Sequence, residues 1–129
     1  MDRILVVDDA ELNRELLYDI LKDNYIIETA EDGAEALEKL RKYRGGISAL
    51  LLDLRMPKLD GFAVIEQMRQ NGWIKHIPVL IISSEHAIEI ENLCFHLGIS
   101  DFIHKPFESS IVLNRVKNAI ELFACKNQL

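Results

Sequence analysis

Four short apolar runs in this chain are each followed, at once or within two residues, by side chains that can do chemistry. Asp8 and Asp9 follow Ile4 to Val7, and Asp53 follows Ile47 to Leu52. Ser83 and Ser84 follow Ile77 to Ile82, and Lys105 follows Phe102 and Ile103. Singly, each has an ordinary explanation: an Asp behind a strand is a helix cap or turn residue about three times in four. A lone Lys is most often a solvated charge. As a set they are harder to dismiss. Three carboxylates gathered about 5 Å apart repel by roughly 3 kcal/mol per pair at an effective dielectric of about 20, so they call for a cation among them. Oxygen donors without His or Cys favour a hard ion, and Mg²⁺ takes one or two carboxylates while keeping waters. One lysine cannot neutralise three acids. A carboxylate-bound Mg²⁺ beside a lysine and a hydroxyl suits phosphoryl transfer to a carboxylate. Metal and lysine stabilise the transferring oxygens, and one Asp attacks.

These residues meet only if the elements carrying them are laid side by side. A fifth apolar run, Tyr25 to Thr29, completes a set of five, and between the runs apolar residues recur at helical spacing. The stripes include Leu12, Leu16, Leu17, Ile20 and Leu21, then Ala36, Leu37 and Leu40, then Phe62, Ile65 and Met68. Ala87, Ile90, Cys94 and Leu97 form the fourth, and Leu113, Val116, Ile120 and Phe123 the fifth. Continuously apolar strands are those buried on both faces of a parallel sheet, and amphipathic helices cover those faces. Strict alternation predicts an α/β domain with right-handed crossovers, a five-stranded parallel sheet and five helices. In such a sheet the C-terminal strand ends share one edge, where ligands bind. Asp9 is placed to cap the first helix and Gly98 to end the fourth. Glu35 with Lys39, and Glu38 with Lys42, predict weak pairs along the second helix.

Composition narrows the field. The 129 residues fit one domain, 1–129, with no linker or repeat. A formal net charge of −6 argues against direct nucleic-acid contact. Cys94 and Cys125 stand far apart, so neither a disulfide framework nor a zinc site is indicated. The first residues lack a basic leader, and no apolar run is long enough for a bilayer, so a soluble, cytoplasmic protein without membrane contact is expected. His76, His86, His96 and His104 share no metal spacing and are expected on the surface. Trp73 and Phe107 are expected to cover core.

At this point the residues match a family. The chain resembles the receiver domain of bacterial two-component response regulators, the chemotaxis-regulator type, over nearly its whole length. The resemblance rests on Val7-Asp8-Asp9, on Asp53-Leu54-Arg55-Met56-Pro57 with Asp60-Gly61, on Pro78 to Ser83, and on Asp101 to Phe107. It implies a flavodoxin-like, doubly wound fold with strand order 2-1-3-4-5. It implies that Asp53 is the phosphoacceptor, with Asp8, Asp9, Asp53 and the Arg55 backbone carbonyl binding Mg²⁺, Asp9 most directly. Ser83 is similar to the switch hydroxyl and Lys105 to the lysine that contacts the phosphoryl group. Phe102 matches the aromatic that rotates inward on activation, and Lys105-Pro106 a peptide bond that is cis in the family. Ser83 stands where Thr is commoner, Phe102 where Tyr is frequent, and Ala10 where a polar residue is common.

The resemblance implies a regulatory phosphoacceptor with at most self-phosphorylation and self-dephosphorylation, not a metabolic enzyme. Its partners would be a sensor histidine kinase or phosphotransfer protein, and an output domain or effector, with a homodimer in the phosphorylated state. Residues 114–129 keep a helical pattern that is expected to lead into an output module. Arg55 and Glu85, each two residues past a strand end, are expected to flank the mouth of the site, where a long guanidinium can obstruct water. Two alternatives fit these residues less well. A flavodoxin-like cofactor-binding module needs hydroxyls and glycines facing a phosphate in the first loop, where Asp8-Asp9-Ala10-Glu11 would repel it. A hydrolase with its nucleophile after the first strand wants an acid at position 10, which is Ala.

Overall fold

In the computed structural model, which describes residues 1–56, 58–84 and 87–127, strands and helices alternate without exception. They run β1 (Arg3–Val7), α1 (Glu11–Leu21), β2 (Ile26–Ala30), α2 (Gly33–Tyr43), β3 (Ala49–Asp53) and α3 (Gly61–Gln70). A 3₁₀ turn at Trp73–Lys75 precedes β4 (Val79–Ser83), α4 (Ile88–His96), β5 (Asp101–His104) and α5 (Ser109–Asn127). All strand pairs are parallel, in the order β2-β1-β3-β4-β5. This is the flavodoxin-like arrangement. Among the described residues, no helix is long and apolar enough to cross a membrane.

The unbroken apolar runs have a direct cause. In β1, Leu5 and Val7 join the core formed with α2, α3 and α4, while Ile4 and Val6 join the one formed with α1 and α5. β3 and β4 divide in the same way, Leu50 and Leu52 against Leu51, and Val79 and Ile81 against Leu80 and Ile82. Both faces are dry, so the strand interiors are apolar, with Arg3, Asp53 and Ser83 only at strand ends. Each fully buried Leu, Ile or Val contributes about 1.5–3 kcal/mol of transfer free energy, and the three central strands are buried throughout apart from Arg3.

The strands end later than hydrophobicity alone suggests. β3 and β4 finish on Asp53 and Ser83, whose backbones are still in register with Ile82 and His104. A strand is defined by its ladder, and these polar side chains ride on its last rung. The first helix departs further from expectation. Leu17 and Leu21 are buried, but Leu12 and Leu16 are exposed, because a helix on a sheet buries only the stripe that faces it. Asp9 is not its cap. Ala10 holds the N-cap position without a side-chain bond.

At α4 the expected stop is present. Gly98 has a positive φ of 101°, and the Gly98 and Ile99 amides donate to the Phe95 and Cys94 carbonyls at 3.0 and 3.2 Å, closing a Schellman turn. Lys39, spaced to pair with Glu35, turns instead to β2, where it meets Glu28 at 3.8 Å and the Thr29 carbonyl. Trp73 and Phe107 are half-buried against the two cores, as expected. Asp32 caps α2, its Oδ1 accepting from the Glu35 amide at 2.8 Å. That bond, ahead of any charge effect, holds its carboxyl below the usual range. Asp32→Ala is expected to lower stability by about 1 kcal/mol at neutral pH, with the difference shrinking as acid protonates the wild-type carboxyl. Urea melts at pH 7 and pH 3 check both parts, and equal midpoints at pH 7 would remove the cap from the account.

Candidate functional site

The parallel register brings the chemistry to one edge. Val7 lies opposite Leu52, so Asp8, one residue past the end of β1, comes beside Asp53 at the end of β3. Ligand oxygens of Asp8, Asp9 and Asp53 all lie within 4.8 Å of one another. Asp8 and Asp53 are buried, while Asp9 is open to solvent. Lys105 follows β5, and its ammonium stands 3.3 Å from Asp8 Oδ2 and 3.6 Å from Asp53 Oδ2. The Lys105 amide donates to the Ser83 carbonyl at 3.0 Å, which ties the ends of β4 and β5 together.

Each acid is held by its own loop. The Asp8 carboxylate accepts from the Ala10 amide at 2.9 Å and from Asn13 Nδ2 at 3.1 Å. Arg14 Nη1 donates to the Asp8 carbonyl at 2.7 Å. Neither Asn13 nor Arg14 stands out in the sequence by spacing. The available signal is their place in the first turn of α1, where side chains lean back toward the N-terminus and therefore toward the strand end. Asp53 Oδ1 accepts from the Arg55 amide at 3.3 Å. Behind Asp53 the chain doubles back so tightly that a Cβ on Gly61 would sit 2.5 Å from the Asp53 carbonyl oxygen, a contact only glycine permits.

Ser83 is buried at the end of β4, one residue past Ile82, which lies opposite Asp53. Phe102 is different. Its ring is already inside, edge-on to Phe95 at 5.4 Å and stacked on His104 at 6.0 Å. Its contacts are therefore with α4 and β5. His104 is half-buried rather than on the surface, with Nε2 3.9 Å from Glu91, because it alternates with Ile103 beside α4. The Lys105-Pro106 bond is cis, as the resemblance implies. Arg55 is exposed, whereas Glu85, Pro57 and His86 lie outside the described residues.

Electrostatics fits a cation here. Burial, and then the Asp8 charge, push the Asp53 carboxyl up to about 6, against the opposing pull of Lys105 and the Arg55 amide. Three carboxylates against one ammonium leave two negative charges, the charge a divalent ion cancels, and every donor is oxygen. Metal-free protein should therefore lose stability as pH rises. The folded pKa lies above the unfolded value near 4, so between about pH 4 and 6 the native state binds more protons than the unfolded chain. The cost is complete above pH 6 and amounts to roughly 1–3 kcal/mol. In chelator, Asp53→Asn should be the more stable protein at pH 8 and lose that advantage at pH 4. Equal urea midpoints at pH 8 would contradict the burial of a charged Asp53.

Residues 4–117 match the family model of the response regulator receiver domain. The chain belongs to that family. Receiver domains are phosphorylated signalling switches, and this chain is one. Receiver domains bind Mg²⁺ at an acidic pocket, and this chain carries an Asp cluster at its sheet edge. It is 36% identical over 118 residues to a probable cyclic di-GMP phosphodiesterase of Vibrio cholerae serotype O1, covering 92% of this chain and 26% of that protein. It is 38% identical over 116 residues to response regulator MprA of Mycobacterium ulcerans, covering 89% and 48%. It thus spans half or less of the length of these two relatives. The solved chemotaxis protein CheY4 of Vibrio cholerae is 30% identical, with a TM-score of 0.85 over 92% of this receiver and 98% of that chain. Nothing in the family or the site supports a flavin-binding module.

Proposed function

We propose that Asp53 is the phosphoacceptor of this receiver and that a phosphohistidine on a sensor histidine kinase or phosphotransfer protein is its donor. A carboxylate oxygen of Asp53 attacks phosphorus, an oxygen–phosphorus bond forms, and the nitrogen–phosphorus bond of the donor breaks. The released imidazole takes up a proton. The observation that carries this reading is an oxygen-only acid cluster, with Asp8 and Asp53 buried and Asp9 open to solvent, and a lysine ammonium 3.6 Å from one Asp53 oxygen. Asp8, Asp9, Asp53 and the Arg55 carbonyl would hold Mg²⁺, which supplies charge neutralisation for the transferring oxygens. Lys105 offers the same oxygens a second positive charge. Ser83 supplies a hydroxyl on the neighbouring strand end, and Phe102 is the aromatic partner of the switch.

The domain acts as a regulatory acceptor in the cytoplasm, read by an output domain or effector and not itself a metabolic enzyme. Residues 1–129 act as one unit, with the end of α5 leading toward an output module. Support for an output partner comes from relatives of whose length this chain spans only 26% and 48%. Pairing of two phosphorylated copies is a further partnership, supported by the exposed apolar side chains Leu93 and Phe95 on α4. The deciding experiment is intact mass after incubation with acetyl phosphate and Mg²⁺, followed by mapping of the label. One phosphoryl group per chain on Asp53 is the expected result. A label on another residue, or none, would sink the assignment.

A further inference from the structure

Asp8 is fully buried, and its two oxygens are not held alike. Oδ1 accepts the Ala10 amide at 2.9 Å, whereas Oδ2 is shared by Asn13 Nδ2 at 3.1 Å and Lys105 Nζ at 3.3 Å. The same ammonium stands 3.6 Å from Asp53 Oδ2. Lys105 is therefore divided between two carboxylates, and Asn13 is the group that competes with it for one of them. We propose that Asn13 is a positioning residue: by donating to Asp8 Oδ2 it keeps the Lys105 ammonium shared with Asp53 instead of drawn onto Asp8.

The physical basis is the scarcity of donors at a buried anion. A carboxylate oxygen out of water needs its lone pairs met, and losing one donor strengthens its hold on the other. Without the Asn13 amide, Asp8 Oδ2 binds Lys105 more tightly. The ammonium then contributes less to charge that builds on oxygens bound at Asp53. Asn13 itself is half-buried on the first turn of α1, where alanine is an excellent helix former. Removing the amide therefore leaves the fold intact.

The inference rests on Asp53 as the phosphoacceptor, and the experiment separates the two claims. Labelling by acetyl phosphate is followed by intact mass at saturating Mg²⁺, so that metal affinity does not enter the rate. Wild type, Asn13→Ala, Lys105→Ala and the double variant are compared, with the label mapped in wild type. Asn13→Ala is expected to slow labelling about tenfold, the size of one charge-assisted hydrogen bond. In the Lys105→Ala background the same change is expected to alter the rate less than twofold, because the group it acts through is gone. A slowing of less than threefold in the otherwise wild-type protein overturns the proposal. So does an undiminished tenfold loss in the Lys105→Ala background, which would mean that Asn13 acts on Asp8 or on the fold. Wild type unlabelled at Asp53 overturns the phosphoacceptor reading and this inference with it.

Discussion

Asp53→Asn is expected to take up no phosphoryl group under conditions that label wild type to one group per chain. The substitution keeps the shape of the side chain and its bond from the Arg55 amide, which stands 3.3 Å from Oδ1. What it removes is the anionic oxygen proposed to attack phosphorus, and an amide oxygen is no nucleophile at neutral pH. It also removes the charge that burial and Asp8 make costly, so the variant folds at least as well as wild type without metal. Loss of labelling cannot then be ascribed to unfolding. Intact mass and a urea melt on the same sample measure both, and stoichiometric labelling of Asp53→Asn would move the acceptor elsewhere.

Asp9→Ala is expected to lose Mg²⁺ and phosphorylation together. Asp9 is the exposed member of the cluster, so its removal opens no cavity and strands no buried partner. The cation, however, would keep only two carboxylates, with Lys105 already set against both. Even at the dielectric of water, a unit charge about 4 Å from a divalent ion is worth about 2 kcal/mol, so affinity falls by roughly 30-fold or more. Titration calorimetry with Mg²⁺ measures the fall directly. Labelling at low Mg²⁺ should drop in proportion and recover in part when Mg²⁺ is raised. An unchanged dissociation constant would remove Asp9 from the ligand set.

Much of this was legible along the chain because one physical rule governs both sequence and fold. Strands dry on both faces must be apolar throughout, so the first polar residue after each run marks the sheet edge. That rule places Asp8, Asp53 and Ser83 together from the sequence. Side-chain direction was less legible. Asn13 and Arg14 belong to no motif, and only the lean of helical side chains toward the N-terminus aims them at Asp8. Leu12 and Leu16 share a stripe with Leu17 and Leu21, yet the stripe is wider than the contact. Asp9 has the right chemistry for a helix cap and is one residue too early, with Ala10 in the capping position. For Phe102, spacing identifies an aromatic on β5 but carries no information about its rotamer, which packing against Phe95 and His104 decides.

The strand order has a further consequence, for the timing of synthesis. β1 lies inside the sheet between β2 and β3, and β4 and β5 follow β3 outward. The site therefore draws on the eighth residue and the hundred-and-fifth, and contacts of such high sequence separation form only when nearly the whole domain has condensed. A nascent chain still lacking β5 presents Asp53 without Lys105. Uptake of a phosphoryl group would in this sense certify completed folding, and an unfinished or misassembled copy is expected to stay silent. Ribosome-stalled chains ending before and after residue 105 would display the onset, with labelling expected only in the longer ones.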